Sequence, residues 1–79
     1  MRVRVYVMPR EDILDPQGKA VEESLHSLGF TEVRSARLGK RIDLELEETD
    51  EERARSRVDE MCRKLLANEV IEDYSFEIV

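Results

Sequence analysis

Residues 14–20 read Leu-Asp-Pro-Gln-Gly-Lys-Ala, and this stretch decides how the chain is organised. It follows an alternating apolar segment and precedes an amphipathic one, so it predicts the passage from a first strand to a first helix. Asp15 suits the N-cap, because its carboxylate can accept hydrogen bonds from the free N–H groups of the helix start. Pro16 suits the first helical position, where its missing N–H costs nothing. Gly18 lowers helix propensity by about 1 kcal/mol relative to alanine, which predicts that another backbone approaches it closely.

The composition limits the possible classes of function. The chain has 79 residues, of which 41% are charged and 41% apolar, and its formal net charge is −6. We expect one domain over residues 1–79 with a thin core. The negative charge disfavours a nucleic acid or an anionic membrane as partner, since both require a basic face. The single cysteine, Cys62, excludes an internal disulfide, and neither a membrane span nor a signal peptide is recognisable, so we expect a cytoplasmic protein.

Hydrophobic periodicity predicts the order strand, helix, strand, strand, helix, strand. The strands are predicted at residues 2–8, 32–38, 41–47 and 70–79, and the helices at 16–28 and 49–67. Gly39 and Lys40 predict a tight hairpin turn between the second and third strands. This order is typical of an α+β, ferredoxin-like βαββαβ sandwich, in which an antiparallel sheet carries two helices on one face. The other face of the sheet mixes charges with Tyr6 and Met8, and it suits either assembly or contact with solvent.

The same patterns predict a core and helix ends. The predicted core positions are Val3, Val5 and Val7; Val21, Leu25 and Leu28; Ile42, Leu44 and Leu46; Ala54, Val58, Met61 and Leu65; and Tyr74, Phe76 and Ile78. Thr49 and Glu52 have the spacing of a capping box. Gly29 and Asn68 suit the left-handed conformation that ends many helices.

No residue set indicates catalysis, a cofactor or a metal site. The sequence has neither a glycine-rich phosphate loop nor the cysteine and histidine spacing of a zinc site. Cys62 lies beside a predicted buried stripe, so packing is favoured over a nucleophilic pair with His26. His26 is expected to be exposed and paired with nearby carboxylates. The residues alone therefore predict an interaction domain.

Two segments carry a family resemblance. They are L-D-P-Q-G-K-A at 14–20 and K-L-L-A-N-E-V-I-E-D-Y at 64–74, and they occur in order with V-R-V-Y-V at 3–7 and L-G-F at 28–30. In these segments the sequence resembles the PurS family, the small subunits of phosphoribosylformylglycinamidine (FGAM) synthase in purine biosynthesis. The resemblance extends over essentially the whole chain.

The resemblance implies an accessory subunit without catalytic residues of its own. It implies a homodimer or tetramer that joins a synthetase subunit to a glutaminase subunit and supports ammonia transfer between them. ATP and Mg²⁺ are then expected on the synthetase subunit, and no cofactor on this chain. Our candidates for partner contact are Asp15, Gln17, Gly18, Lys19 and Asn68. Replacing Gly18 by alanine is expected to weaken assembly while leaving the isolated fold intact.

Two alternatives remain at this stage. A small-molecule-sensing regulatory domain of the same fold could use loops near Gly18 and Gly39, and it would bind a metabolite rather than a protein. An acyl-phosphate hydrolase of similar topology would need a phosphate-binding loop after the first strand. Residues 9–14 are too acidic for that loop.

Overall fold

The computed structural model describes all 79 residues, which form three strands and two helices. The elements in chain order are β1 (Arg2–Pro9), α1 (Pro16–Ser27), β2 (Lys40–Glu45), α2 (Glu51–Met61) and β3 (Glu72–Ile78). A π-helical turn, Cys62–Leu66, continues α2. An antiparallel sheet combined with two helices confirms the predicted α+β, ferredoxin-like class.

The sheet has the order β2-β1-β3, and both pairs of strands are antiparallel. The alternating valines of β1 explain its central place, because β-branched side chains pack well on a pleated surface. Val5, for example, lies opposite Ile42 of β2 and Phe76 of β3. The inward faces of all three strands are those that the alternation predicts.

The core lies between this sheet and α2. Its buried members are Val3, Val5, Val7, Val58, Cys62 and Ala67, and the partly buried side chains around them are Ile42, Leu44, Leu46, Leu66, Tyr74, Phe76 and Ile78. Ala54 of α2 is also buried. Cys62 is fully buried, which confirms that its thiol is a packing group.

The predicted second strand at 32–38 is wrong as an element of this chain's sheet. Residues 33–39 belong to no strand, and their only backbone-to-backbone hydrogen bond runs from the Val33 N–H to the Phe30 carbonyl. The predicted hairpin turn is also missing, because Gly39 does not adopt a positive φ and the chain enters β2 directly at Lys40. Gly39 instead lies so close to β1 that a Cβ there would overlap the sulfur of Met8.

Helix α1 is not buried on the sheet, contrary to the predicted apolar stripe. Val21 is 39% exposed and Leu28 is 74% exposed, and Gly18 is the one buried residue of the helix. We call residues 16–39 the arm, and residues 1–9 together with 40–79 the body. The body contains the whole buried apolar core, and the arm leaves Val21 and Leu28 exposed.

The molecular dimensions show that the arm projects from the body. The radius of gyration is 15.9 Å, against about 12 Å for a compact domain of this length. The longest dimension is 49 Å. An eight-residue strand and a twelve-residue helix placed end to end span about 44 Å. The arm therefore extends beyond the end of the sheet instead of lying across its face.

Three helix ends are now defined. Gly29 has a φ of 101°, which confirms the predicted left-handed residue after α1. The N-cap of α2 is Asp50 rather than Thr49, because the Asp50 carboxylate accepts hydrogen bonds from the N–H groups of Glu52 and Arg53. Asn68 has no positive φ. The prediction of a left-handed end there is wrong, since the π-helical turn already ends at Ala67, whose backbone is extended.

Candidate interaction surface

Asp15 joins the start of α1 to the extended segment at 33–39. It is the N-cap residue, as predicted, but the prediction that its carboxylate caps the helix start is wrong, because the side chain makes no capping hydrogen bond. Its Oδ2 instead accepts the N–H of Leu38 at 2.9 Å. This hydrogen bond holds the pKa of the Asp15 carboxyl below its usual range, and the neighbouring N–H groups of Gly18 and Gln17 lower that pKa further. The carboxylate thereby fixes the two halves of the arm to each other.

Gly18 allows the close contact between those halves. It is buried, and a Cβ at this position would overlap the carbonyl oxygen of Ala36. The close approach of another backbone, predicted from a glycine in the first helical turn, therefore comes from the same chain.

Two further side chains hold the extended segment. The Nε2 of His26 lies 2.5 Å from the carbonyl oxygen of Val33, and because a carbonyl can only accept, Nε2 carries the proton. The prediction that His26 pairs with carboxylates is therefore wrong. The Arg37 guanidinium donates to the carbonyl of Pro9, the last residue of β1. This bond ties the base of the arm to the end of the sheet.

Gln17 and Lys19 lie exposed on the first turn of α1. Lys19 pairs with Glu22 at 3.1 Å. Gln17 borders a hollow of about 230 Å³ whose other lining residues are Leu38, Gly39, Lys40 and Glu72. Both polar side chains are therefore available to a partner at the place where the arm meets the body.

Asn68 is hydrogen-bonded to Glu72, which lines the same hollow. The Asn68 N–H donates to Glu72 Oε1 at 2.7 Å, and the Asn68 side chain accepts the N–H of Val70 at 3.1 Å. The tertiary structure thus brings the segments 14–20 and 64–74 together at one end of the sheet. We call Gln17, Leu38, Gly39, Lys40, Asn68 and Glu72 the junction. It stays a prediction that a partner contacts Asp15, Gln17, Gly18, Lys19 and Asn68.

Tyr74 locks the end of α2 onto β3. Its hydroxyl donates to Asp59 Oδ1 at 2.7 Å, while Arg63 donates to Oδ2 of the same carboxylate at 3.0 Å. The hydrogen bond to Asp59 raises the pKa of Tyr74 to about 12. Burial, with the nearby charge of Asp59, raises the pKa of the Cys62 thiol. Sequence reasoning missed the pairing of Asp59 with Tyr74, because that pairing depends on the tertiary contact.

We predict that Tyr74→Phe lowers the urea midpoint of unfolding at pH 8, because Asp59 then loses a donor. The pKa of Tyr74 lies above its ordinary value of 10.0, so the wild-type advantage is complete below pH 10 and disappears as the pH approaches 12. Tyr6→Phe is the matched control, since Tyr6 bonds Glu77 at an exposed site. The stabilising role of the hydrogen bond between Tyr74 and Asp59 would be contradicted if both variants lowered the urea midpoint equally. It would also be contradicted if the wild-type advantage in urea midpoint were unchanged at pH 12.

The open face of the sheet is polar. Arg4 lies 3.5 Å from Asp43 on β2 and 3.9 Å from Glu77 on β3. These cross-strand pairs lie on the face for which the sequence allowed either assembly or contact with solvent.

No group of three or more His, Cys, Asp or Glu side chains is arranged to hold a metal ion. None of the helices has the length and apolar character needed to span a membrane.

Comparison with known proteins identifies the family. The family model "PurS: Phosphoribosylformylglycinamidine (FGAM) synthase" matches residues 2–79. The chain belongs to the PurS family. It is 49% identical to the PurS subunit of Bacillus subtilis over 98% of this chain and 90% of that protein. It is 51% identical to the PurS subunit of Synechocystis over 95% of this chain and 75% of that protein. As a PurS protein, it is a subunit of FGAM synthase in purine biosynthesis.

Solved structures of the family share the architecture, including the arm. A crystal form of B. subtilis PurS matches with a TM-score of 0.87 and 50% identity, over 96% of this chain and 94% of that one. A chain of the PurLQS structure from Thermotoga maritima matches with a TM-score of 0.89 and 33% identity, over 99% of this chain and 95% of that one. Because these matches cover nearly all residues, the projecting arm belongs to the PurS chain fold.

Proposed function

We propose that this PurS chain is the non-catalytic subunit that joins the synthetase and glutaminase subunits of FGAM synthase. The observation that carries this proposal is the arm. It leaves apolar side chains uncovered and, with the body, forms an open junction that is lined mostly by polar residues. Such surfaces suit protein partners better than a small enclosed ligand. The similarity to a chain of a PurLQS structure supports the same function.

The subunit acts as a homodimer or a larger homo-oligomer. Only eight of its 79 residues are buried, which is a small core even for a domain of this size. Leu28, Phe30 and Leu38 of the arm are exposed. A second copy that covers such side chains supplies the apolar burial that the isolated chain lacks.

Catalysis is assigned to the partners. Glutamine hydrolysis requires an activated nucleophile, whereas Cys62 is buried and its thiol pKa is raised. We place ATP and Mg²⁺ on the synthetase subunit and no cofactor on this chain. The contribution of this chain is to align the two active sites for ammonia transfer. The complex works in the cytoplasm, where a single reduced thiol is stable.

The test is assembly of the purified subunits. We expect the synthetase and glutaminase subunits to co-elute in size-exclusion chromatography only when this chain is present. Lys19→Glu, which reverses a charge beside the junction and breaks the pair with Glu22, is expected to weaken assembly by about tenfold. Arg55→Glu is the matched control, since it breaks the comparable helical pair with Glu51 on α2.

Two results would contradict the bridging function. One is co-elution of the two large subunits without this chain. The other is tight binding of a purine nucleotide or of glutamine by the isolated chain in calorimetry, combined with no binding to either subunit. The second result would favour the regulatory domain that the sequence left open.

A further inference from the structure

Two loops form one surface at the end of the sheet where β1 stops and β3 starts. They are residues 10–14 and 69–71, and we call them together the tip. The Arg10 N–H donates to the carbonyl of Ile71 at 2.9 Å, and the Ile13 N–H donates to the carbonyl of Arg10 at 3.0 Å. Because these hydrogen bonds hold the loops together, the side chains of both loops belong to a single surface.

The tip exposes four apolar side chains. Leu14 and Val70 are each 78% exposed, and Ile13 and Ile71 are 38% and 42% exposed. One exposed apolar residue is ordinary on a protein surface, but four on two joined loops form a patch. Patches of this kind are typical of sites that bind other proteins, and loops on a rigid scaffold commonly carry such sites.

Carboxylates flank this apolar patch. The side chains of Glu11 and Asp12 are 90% and 78% exposed, and Glu69 is exposed beside Val70. Only Arg10 brings positive charge to the tip, and its guanidinium is engaged by Asp12 at 3.8 Å and by the carbonyl of Glu69 at 3.4 Å. The tip therefore presents apolar side chains together with negative charge.

An open hollow of about 600 Å³ extends this acidic character from the tip toward the arm. Ile13 and Leu14 line it, and its charged lining residues are Glu11, Asp12, Asp15, Lys19, Glu22 and Arg37. Both basic side chains are already paired, Lys19 with Glu22 at 3.1 Å and Arg37 with Glu11 at 3.9 Å. Carboxylates are therefore in excess, so the hollow suits a Lys or Arg side chain from a partner.

The groove beside the end of α2 lacks this single sign of charge. Leu65 lines the groove and is 82% exposed, contrary to its predicted place in the buried stripe. The π-helical turn explains this exposure, since five-residue spacing shifts Leu65 off the stripe. The charged residues of the groove are Arg57, Glu60 and Lys64, and Glu60 pairs with both basic side chains. Charge therefore indicates a partner at the tip but not at this groove.

A second copy of this chain does not supply the positive charge that suits the tip. Apart from Arg2, Arg34 and Lys40, each Lys and Arg side chain pairs with a carboxylate. Arg2 lies opposite Glu45 and Lys40 opposite Val7, at the two ends of the β1 and β2 pair, so these cations do not form one recess. Two tips facing each other would bring like charges together.

We propose that the tip docks on another subunit of FGAM synthase, at an apolar recess edged by Lys and Arg side chains. This inference rests on the bridging role of the proposed function and names a surface for it. The tip is continuous with the junction, because Glu69 directly follows Asn68. Apolar side chains inside a charged rim are the usual anatomy of a protein interface.

Two pairs of matched substitutions test the tip. Val70→Asp alters its apolar patch and Glu69→Lys its charge, at residues that are both exposed. Val79→Asp and Glu47→Lys are the controls, since they make the same changes at exposed residues near the opposite end of the sheet, where the Val79 N–H bonds Arg2 and Leu46 bonds Met1. Neither Glu69 nor Glu47 has a basic partner to lose.

The measurement is interferometry of this chain against each purified large subunit and against their mixture. We expect Val70→Asp to raise the Kd by about 30-fold and Glu69→Lys by about tenfold. Each control is expected to change the Kd by less than about threefold. Raising the NaCl concentration from about 0.05 to 0.5 M should slow wild-type association by about tenfold and slow that of Glu69→Lys less, because salt screens the attraction.

The outcomes separate the tip from the proposed function. A wild-type chain that binds neither subunit nor their mixture would overturn both. Wild-type binding that Val70→Asp and Glu69→Lys reduce no more than their controls would overturn docking by the tip alone. Sedimentation is expected to show an unchanged homo-oligomer for both tip variants. Loss of the homo-oligomer in these variants, while circular dichroism shows the native fold, would assign the tip to contact between copies and would also overturn the proposal.

Discussion

Glutamine-dependent synthesis is expected to fall by roughly two orders of magnitude when this chain is omitted from FGAM synthase reconstituted from its separate subunits. Ammonia-dependent synthesis is expected to survive within a few-fold under the same conditions. The reason is that glutamine-derived ammonia must pass between two active sites, and docking of the glutaminase subunit aligns them. Free ammonia reaches the synthetase site directly from solution. Product formation with each nitrogen source is the measurement.

The pair of nitrogen sources provides the internal control. Glutaminase activity, measured as glutamate release, separates loss of transfer from loss of hydrolysis. Equal loss with glutamine and with ammonia would mean that the chain supports the synthetase site itself. Full glutamine-dependent activity in its absence would exclude the bridging function. The Arg55→Glu variant, which breaks the pair with Glu51 on α2 outside the arm and the junction, is expected to restore activity as well as the wild-type chain does.

Gly18→Ala is expected to detach the extended segment from α1. The added methyl group overlaps the carbonyl oxygen of Ala36, so the two backbones must separate and the hydrogen bond from Leu38 to Asp15 is lost. Overpacking of this kind costs about 1–3 kcal/mol, which exceeds the gain of about 1 kcal/mol in helix propensity. Amide exchange at Leu38 is expected to accelerate, while the amides of β1 keep their protection. Assembly with the partner subunits is expected to weaken.

This prediction for Gly18→Ala refines the expectation drawn from the sequence, which placed the effect of the substitution in assembly alone. Gly29→Ala is the control, because it strains a residue with a φ of 101° but meets no atom within 4 Å. It is expected to lower stability without accelerating exchange at Leu38. Normal protection of Leu38 in Gly18→Ala would show that the arm tolerates the methyl group, and the glycine would then have no packing role.

Local sequence patterns were sufficient to predict the elements that pack against other parts of the same chain. The alternating valines of β1 predicted the central strand, because alternation places every second side chain on one face whatever lies opposite. The same reasoning found the inward faces of β2 and β3, the start of α1 at Pro16, and the left-handed Gly29. Burial of Cys62 also followed from its place beside the stripe of α2.

The candidate residues were accessible from the sequence only as separate motifs. Gln17 and Asn68 are far apart along the chain, and the structure joins them through Glu72. No periodic pattern marks Glu72, since its role depends on a hydrogen bond to the Asn68 backbone. The lock between Tyr74 and Asp59 was missed for the same reason.

The sequence by itself determined the strands β1, β2 and β3 with their apolar faces, and the two helices α1 and α2. Tertiary structure decided where the arm goes. Residues 33–38 and the stripe of α1 have the pattern of buried elements, but pattern cannot say whether burial occurs in the same chain or in another. That choice lies at Gly39, where a tight turn and a straight connection are both open to glycine. Gly39 packs on Met8 without a positive φ, and the chain enters β2 directly at Lys40, so no tight turn returns the arm to its own core.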